Sequence, residues 1–285
     1  MARQISAADL NGDGLSDLIF ISLPPNENGQ VWSVVAKCNP PAPPNALASV
    51  SAASFRGSFL APESIAAAFG SGLGTQTVAA DELPLPTRLA GTGVRVKDSS
   101  GVERPAPLFF VSPNQINYQM PLGTAPGAAT VTVVPAAGQP VSGAAQVAAI
   151  APGLFAANAD GQGAPAGVVL RQKADGRRIF EPLARFAPDL NRFVPAPIKL
   201  PFVGPAPDRV FLILFGTGLR AGANVRLLMG VNWFDALYAG PQGSFVGVDQ
   251  VNVELIRNTL SSTDLNVSVT VNERVTNTVR ILITD

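Results

Sequence analysis

The sequence predicts an all-β chain organised as two tandem β-sandwiches, and three observations carry that prediction. The same apolar-strand text occurs twice. Phe69-Gly70-Ser71-Gly72-Leu73-Gly74 returns as Phe215-Gly216-Thr217-Gly218-Leu219-Arg220, and Gln115-Ile116-Asn117-Tyr118-Gln119 returns as Gln250-Val251-Asn252-Val253-Glu254, in the same order and at similar offsets. Hydrophobic residues make up 47% of the 285 and charged ones 14%, with 27 Gly and 26 Pro, which is too apolar for disorder and too rich in helix breakers for a helical protein. Finally, apolar and polar residues alternate in period two along short runs bounded by Gly, Pro, Asn and Ser, the pattern of half-buried strands.

From the N-terminus, residues 1–22 contain Asp9-Leu10-Asn11-Gly12-Asp13-Gly14-Leu15-Ser16-Asp17 before the strand-like Leu18-Ile19-Phe20-Ile21. Oxygen side chains at loop positions one, three, five and nine can converge on one hard cation, with Gly12 and Gly14 permitting the tight path and Leu15 offering its carbonyl. The ligand set this predicts for Ca2+ is Asp9, Asn11, Asp13, Leu15 and Asp17. An EF-hand is excluded because Phe20 stands where its bidentate Glu belongs. The competing reading is a polar turn that binds no metal.

Residues 23–45 are proline-rich around one candidate strand, Val31-Trp32-Ser33-Val34-Val35, and read as a linker. A first sandwich is expected over 46–150, with strands near 65–69, 94–96, 108–111, 115–119 and 130–134. Residues 144–149 have helical propensity, but the corresponding end of the second copy argues for strand. The stretch 151–206 is too long for a structureless loop, so short strands packing across both domains are expected there, Val168-Val169-Leu170 and Arg178-Ile179-Phe180 forming a hairpin about Asp175-Gly176. A second sandwich is expected over 207–285.

The totals exclude several functions. Lys plus Arg equals Asp plus Glu at 20 each, so no basic field exists for nucleic acid. There is no histidine, which removes the usual general base, the Ser-His-Asp relay and most zinc sites. Cys38 is the only cysteine and reads as an inert thiol. The longest apolar run, 210–215, is far shorter than the ~20 residues of a membrane-spanning helix. Met1-Ala2-Arg3-Gln4-Ile5 lacks the layout of a secretory signal, which leaves two readings open: a cytoplasmic chain, or the tail of a longer exported protein whose start is missing.

Four groups of residues invite a functional reading. Gly70-Ser71-Gly72 looks like a phosphate loop but lacks the following Lys, so a strand-ending turn with positive φ explains it better. Gln115, Asn117, Gln250 and Asn252 form amide faces able to hydrogen-bond sugar hydroxyls, or to satisfy neighbouring strands and the interface between the copies. Trp233 and Phe234 beside Tyr238 could make a sugar-stacking platform or close the second core. Asp81, Glu82 and Asp208 have no second carboxylate at a defined spacing, so a glycosidase pair is unsupported.

Two stretches of the sequence carry family resemblances. The loop Asp9 to Asp17 resembles the calcium loop of FG-GAP/VCBS repeats, implying an N-terminal fragment of a β-propeller blade. Residues 46–285 carry ordered blocks such as Ala61-Pro62-Glu63-Ser64, Leu83-Pro84-Leu85-Pro86, Val111-Ser112-Pro113-Asn114-Gln115 and Ala151-Pro152-Gly153-Leu154-Phe155. They resemble an uncharacterised C-terminal domain family of secreted acidobacterial (Solibacter-type) proteins. The resemblance implies two immunoglobulin-like halves of the TIG/IPT kind, extracellular or cell-surface location, and no established activity. The expected function is a non-catalytic interaction or adhesion module behind a propeller, with carbohydrate or protein as partner. The alternatives are a structural or sorting tail and a carboxylate-based hydrolase.

Overall fold

A computed structural model describes residues 47–57, 59–200, 208–256 and 263–284, together with the backbone of three strands nearer the start. Those three, β1 (Arg3–Ala8), β2 (Asp17–Ser22) and β3 (Gln30–Val34), form an antiparallel meander. The calcium-ligand positions Asp9, Asn11, Asp13 and Leu15 lie outside the described residues. Asp17 opens β2 in backbone only.

The first sandwich has two sheets. One runs in the order β4 (Ala48–Ser51), β5 (Ile65–Phe69), β11 (Gln115–Gln119), β10 (Leu108–Val111), β6 (Val78–Ala79). The other runs β13 (Val141–Val147), β12 (Gly127–Val134), β8 (Thr92–Lys97), β7 (Arg88–Leu89), with β9 (Glu103–Pro105) also on β8. Ile116, Tyr118 and Met120 point between the sheets with Val94, Val96, Val131 and Val133, so the period-two alternation is the inside-outside alternation of the pleat.

The second sandwich repeats this order. Its first sheet is β16 (Arg178–Pro182), β15 (Gly167–Gln172), β20 (Arg209–Thr217), β24 (Asp249–Leu255), β23 (Tyr238–Pro241), with β14 (Gly153–Leu154) on β20. Its second is β19 (Pro197–Lys199), β27 (Val279–Thr284), β25 (Thr263–Val271), β21 (Val225–Met229), β22 (Asn232–Asp235), with β26 (Arg274–Val275) on β25. Thus β4-β5-β11-β10 corresponds to β15-β20-β24-β23, and β13-β12-β8 to β27-β25-β21. The chain is two tandem immunoglobulin-like sandwiches. The stretch between the copies supplies strands to both sheets of the second, and β15 and β16 form the expected hairpin, Leu170 opposite Phe180.

The duplicated text has a structural reason. The two repeated strings are hydrogen-bonded to each other in both copies, and in the same register: Phe69 faces Gln115, and Phe215 faces Gln250. Gly72 (φ 67°) and Gly218 (φ 75°) turn the chain after each strand, and Leu73 and Leu219 drop into their respective cores.

The copies are fused by a third apolar cluster. The outer face of the first sheet, with Ile65, Ala67 and Phe110, packs against Phe155, Val248 and the half-buried Phe215, Phe245 and Val246 of the second half. A large apolar contact of this kind fixes the relative position of domains that would otherwise move. The loop responsible is longer in the second copy: residues 112–114 join β10 to β11, whereas 242–248 join β23 to β24 and pack Phe245, Val246 and Val248 on the first sheet.

A second departure is an insertion. Between β4 and β5 lie residues 52–64, whereas between β15 and β20 the chain also builds β16, β19 and a separate hairpin, β17 (Ala184–Ala187) and β18 (Arg192–Pro195), closed by a 3-10 turn over Pro188–Leu190. Phe186 and Phe193 stack edge-to-face across the hairpin at 5.4 Å. Asn158 anchors it through both amide atoms, accepting from Phe193 N–H (2.7 Å) and donating to Phe193 O (2.8 Å).

Candidate functional site

Each amide row forms the same internal bond. Gln115 Nε2 donates to Asn117 Oδ1 at 3.0 Å, and Gln250 Nε2 donates to Asn252 Oδ1 at 2.7 Å. Their surroundings differ. Gln115 and Asn117 are 0% and 1% exposed, on the outer face that the second half covers. They therefore present nothing to a ligand arriving from solvent. Gln250 and Asn252 are half-buried, and Tyr238, 42% exposed, stands directly across from Asn252 on β23. On β20 the same face carries the half-buried Phe211, with the Arg209 guanidinium 4.8 Å from its ring centroid. Arg209 in turn makes two 2.7 Å hydrogen bonds to Glu254. This partly open strip of amide, phenol and aromatic groups combines donors, acceptors and apolar rings.

Trp233, Phe234 and Tyr238 do not form one platform. Phe234 turns inward opposite Leu227 and joins the core. Trp233, 47% exposed, points out of the opposite sheet, with Arg226 over its ring at 5.2 Å. Tyr238 belongs to the other sheet. Successive strand residues face opposite ways, and the chain changes sheets between β22 and β23, so the two exposed rings lie on opposite faces of the sandwich.

Thr217 and Arg220, which sequence reasoning passed over, sit at the junction of the copies. Thr217 Oγ1 accepts a bond from Ile65 N–H of the first half (2.9 Å) and donates to Gly247 O (2.7 Å). Arg220 contacts Asp249 (Nε–Oδ1, 2.7 Å) and reaches Glu63 of the first half (3.3 Å). In the first copy the equivalent positions are Ser71, Gly74 and Asn114, and the N–H of Leu73 bonds to the carbonyl of Pro113. In the second, the N–H of Leu219 bonds instead to Asp249 Oδ2 at 2.7 Å, the carboxylate taking the carbonyl's place. Burial raises the Asp249 pKa above the ordinary carboxylate value, opposed by Arg220 and the amides of Leu219 and Arg220. A difference between Ser71 and Thr217 in the duplicated text was the available signal.

Although Glu63 and Asp249 share Arg220, Asp249 is 0% exposed and both its oxygens are engaged, so this group reads as a clamp between domains. Asp208 pairs with Lys173 at 2.7 Å, and Asp81 and Glu82 are exposed. Among the described residues no group of three Asp, Glu, Cys or His side chains is placed to hold a metal ion, and no helix is long and apolar enough to cross a membrane.

No family model and no curated protein matches this chain. Solved structures similar to it include the SGBP-B protein of the Bacteroides ovatus mixed-linkage glucan utilization locus, in complex with a mixed-linkage heptasaccharide. It shares 12% identity at a TM-score of 0.33, over 94% of this chain and 52% of that one. A tandem of titin Ig domains follows at 9% and 0.25, covering 79% and 91%. A tetra-tandem repeat from the extending region of a large adhesion protein gives 12% and 0.21, covering 84% and 74%. The chain spans about half the length of the first of these. The immunoglobulin-like assignment rests on the strand order itself.

Proposed function

We propose that this chain is a non-catalytic extracellular or cell-surface interaction module, the C-terminal part of a secreted propeller-type protein. It recognises a carbohydrate or protein ligand on the outer face of its second sandwich. The observation that carries this reading is the unequal fate of one duplicated feature. The Gln-Asn row is sealed beneath a neighbouring domain in the first copy and half-open in the second, where Tyr238 stands beside it. An amide row with a phenol alongside offers both halves of hydroxyl recognition, and partial exposure lets a ligand complete its hydrogen bonding. The resemblance of residues 46–285 to the acidobacterial C-terminal family supports the location, and the loop at Asp9 to Asp17 supports a propeller, with Ca2+ in that loop.

The test is retention of the purified protein on a glycan array and on washed cell envelopes, compared with Asn252→Ala and Tyr238→Ala. Retention that the variants weaken is the expected result; no retention on either surface refutes the reading. Deleting residues 46–285 from the full-length protein separates it from a sorting tail, since changed localisation with ligand capture intact would put the tail in its place.

A further inference from the structure

The insertion in the second copy borders an open cleft. The hairpin β17–β18 lies over the outer face of the β27–β25 sheet, and between them is a space of about 400 Å³ lined by Arg185, Asp189, Leu190, Val194, Asp264 and Leu282 among others. That volume falls within the range of small-molecule sites. Nothing in the sandwich core requires the hairpin, because the first copy builds the same two sheets without it. Loops grafted on a fixed scaffold are where binding sites are ordinarily placed.

We infer that this cleft is a binding site for a neutral polyhydroxylated ligand, a mono- or oligosaccharide, separate from the Gln250-Asn252-Tyr238 face. The lining is balanced in charge. Arg185 and Asp189 cancel, and Asp264 is held by Arg280 through Nε (3.2 Å) and Nη2. A balanced site draws neither anion nor cation, yet the Asp189 carboxylate accepts hydrogen bonds and the Arg185 guanidinium donates them, so a ligand there needs both donors and acceptors. Hydroxyl groups supply both. The C–H faces of a sugar match the aliphatic walls of Leu190, Val194 and Leu282.

The backbone that carries these groups is set before any ligand arrives. Asp264 is oriented by Arg280. Asp189 sits in the 3-10 turn behind Pro188, which Asn191 closes in the left-handed region (φ 47°). Arg185 is opposite Val194 in the hairpin, on the face away from the Phe186–Phe193 pair. Asn158 ties that hairpin to the segment before β15. Fixing the hairpin in advance lowers the ordering cost of binding.

Calorimetric titration of the whole chain with neutral gluco-, galacto- and manno-oligosaccharides tests the assignment, with uronic-acid oligomers and dipeptides as controls. A neutral oligosaccharide should bind, and Asp189→Ala and Arg185→Met, both at exposed positions, should each weaken it by roughly tenfold. Asn252→Ala should remove only the heat that belongs to the sheet face and leave the part that the Asp189 and Arg185 variants weaken, which keeps the two sites distinguishable even if the sheet face proves inert. No heat with any neutral oligosaccharide at millimolar concentration overturns the inference. So does binding that the Asp189 and Arg185 variants leave intact while their melting temperatures match the wild type. Preferential binding of uronic-acid oligomers or dipeptides overturns the ligand class.

Discussion

Replacing Thr217 by valine removes one oxygen and keeps the branched shape of the side chain. In the native structure that oxygen accepts from the N–H of Ile65 and donates to the carbonyl of Gly247, in a site 0% exposed. Valine leaves both backbone groups without that partner where water does not reach. At about 1–3 kcal/mol for each of the two orphaned groups, the loss is roughly 2–6 kcal/mol. Urea denaturation followed by far-UV circular dichroism measures it. Thr217→Ser, which keeps the hydroxyl and loses one methyl group, should cost only about 1 kcal/mol. Ser71→Ala changes the equivalent position of the first copy, which is exposed, and should stay within about 0.5 kcal/mol. Because Thr217 joins the two halves, the valine variant should also split a single calorimetric transition into two. A valine variant within 0.5 kcal/mol of wild type, or a Ser71→Ala variant equally damaged, would refute the claim that this hydroxyl staples the domains.

Three further outcomes are expected. Gly218→Ala places a Cβ 2.3 Å from the carbonyl oxygen of Ala151 at φ 75°, whereas Gly72→Ala, at φ 67° with nothing within 4 Å, adds only local strain; thermal melts should show the first far more damaging. Asp98 accepts hydrogen bonds from the Ser100 hydroxyl, the Ala125, Val102 and Ser100 amides and Arg104, which hold its pKa well below the ordinary value near 3.8. Its folded pKa is depressed, so its contribution is present above pH 3.8 and lost as pH falls below it, and the stability gap between wild type and Asp98→Asn should shrink on acidification below that point. Residues 46–150 produced alone should associate through the uncovered Ile65, Ala67 and Phe110, which sedimentation velocity would reveal; a well-behaved monomer would mean the shared cluster is dispensable.

Strand text was legible because it is local. Ile116, Tyr118 and Met120 announce one buried face by alternation alone, and the repeat of Phe-Gly-x-Gly with Gln-x-Asn marks two strands that pair. What covers Gln115 and Asn117 was not legible. Alternation says only that they point away from their own core, and the second-half residues packed on that face, Phe155, Phe245, Val246 and Val248, are distant in sequence. Period two does say that Trp233 and Phe234 face opposite ways, and that local rule was enough to break up the aromatic platform. The cleft was hidden for another reason: residues 184–195 carry a turn-rich composition without a strong apolar rhythm, and the site's other wall, Asp264 and Leu282, belongs to a different sheet.

The ion pair at the junction makes the two copies unequal in what they tolerate. Asp249 is buried where its counterpart Asn114 is exposed, and a carboxylate sealed from water without a countercharge is strongly disfavoured. An arginine facing a neutral Asn costs little, because its long side chain can reach solvent or Glu63. The two charges are therefore unequal partners: Asp249 depends on Arg220 for its burial, whereas Arg220 keeps Glu63 of the first half within reach.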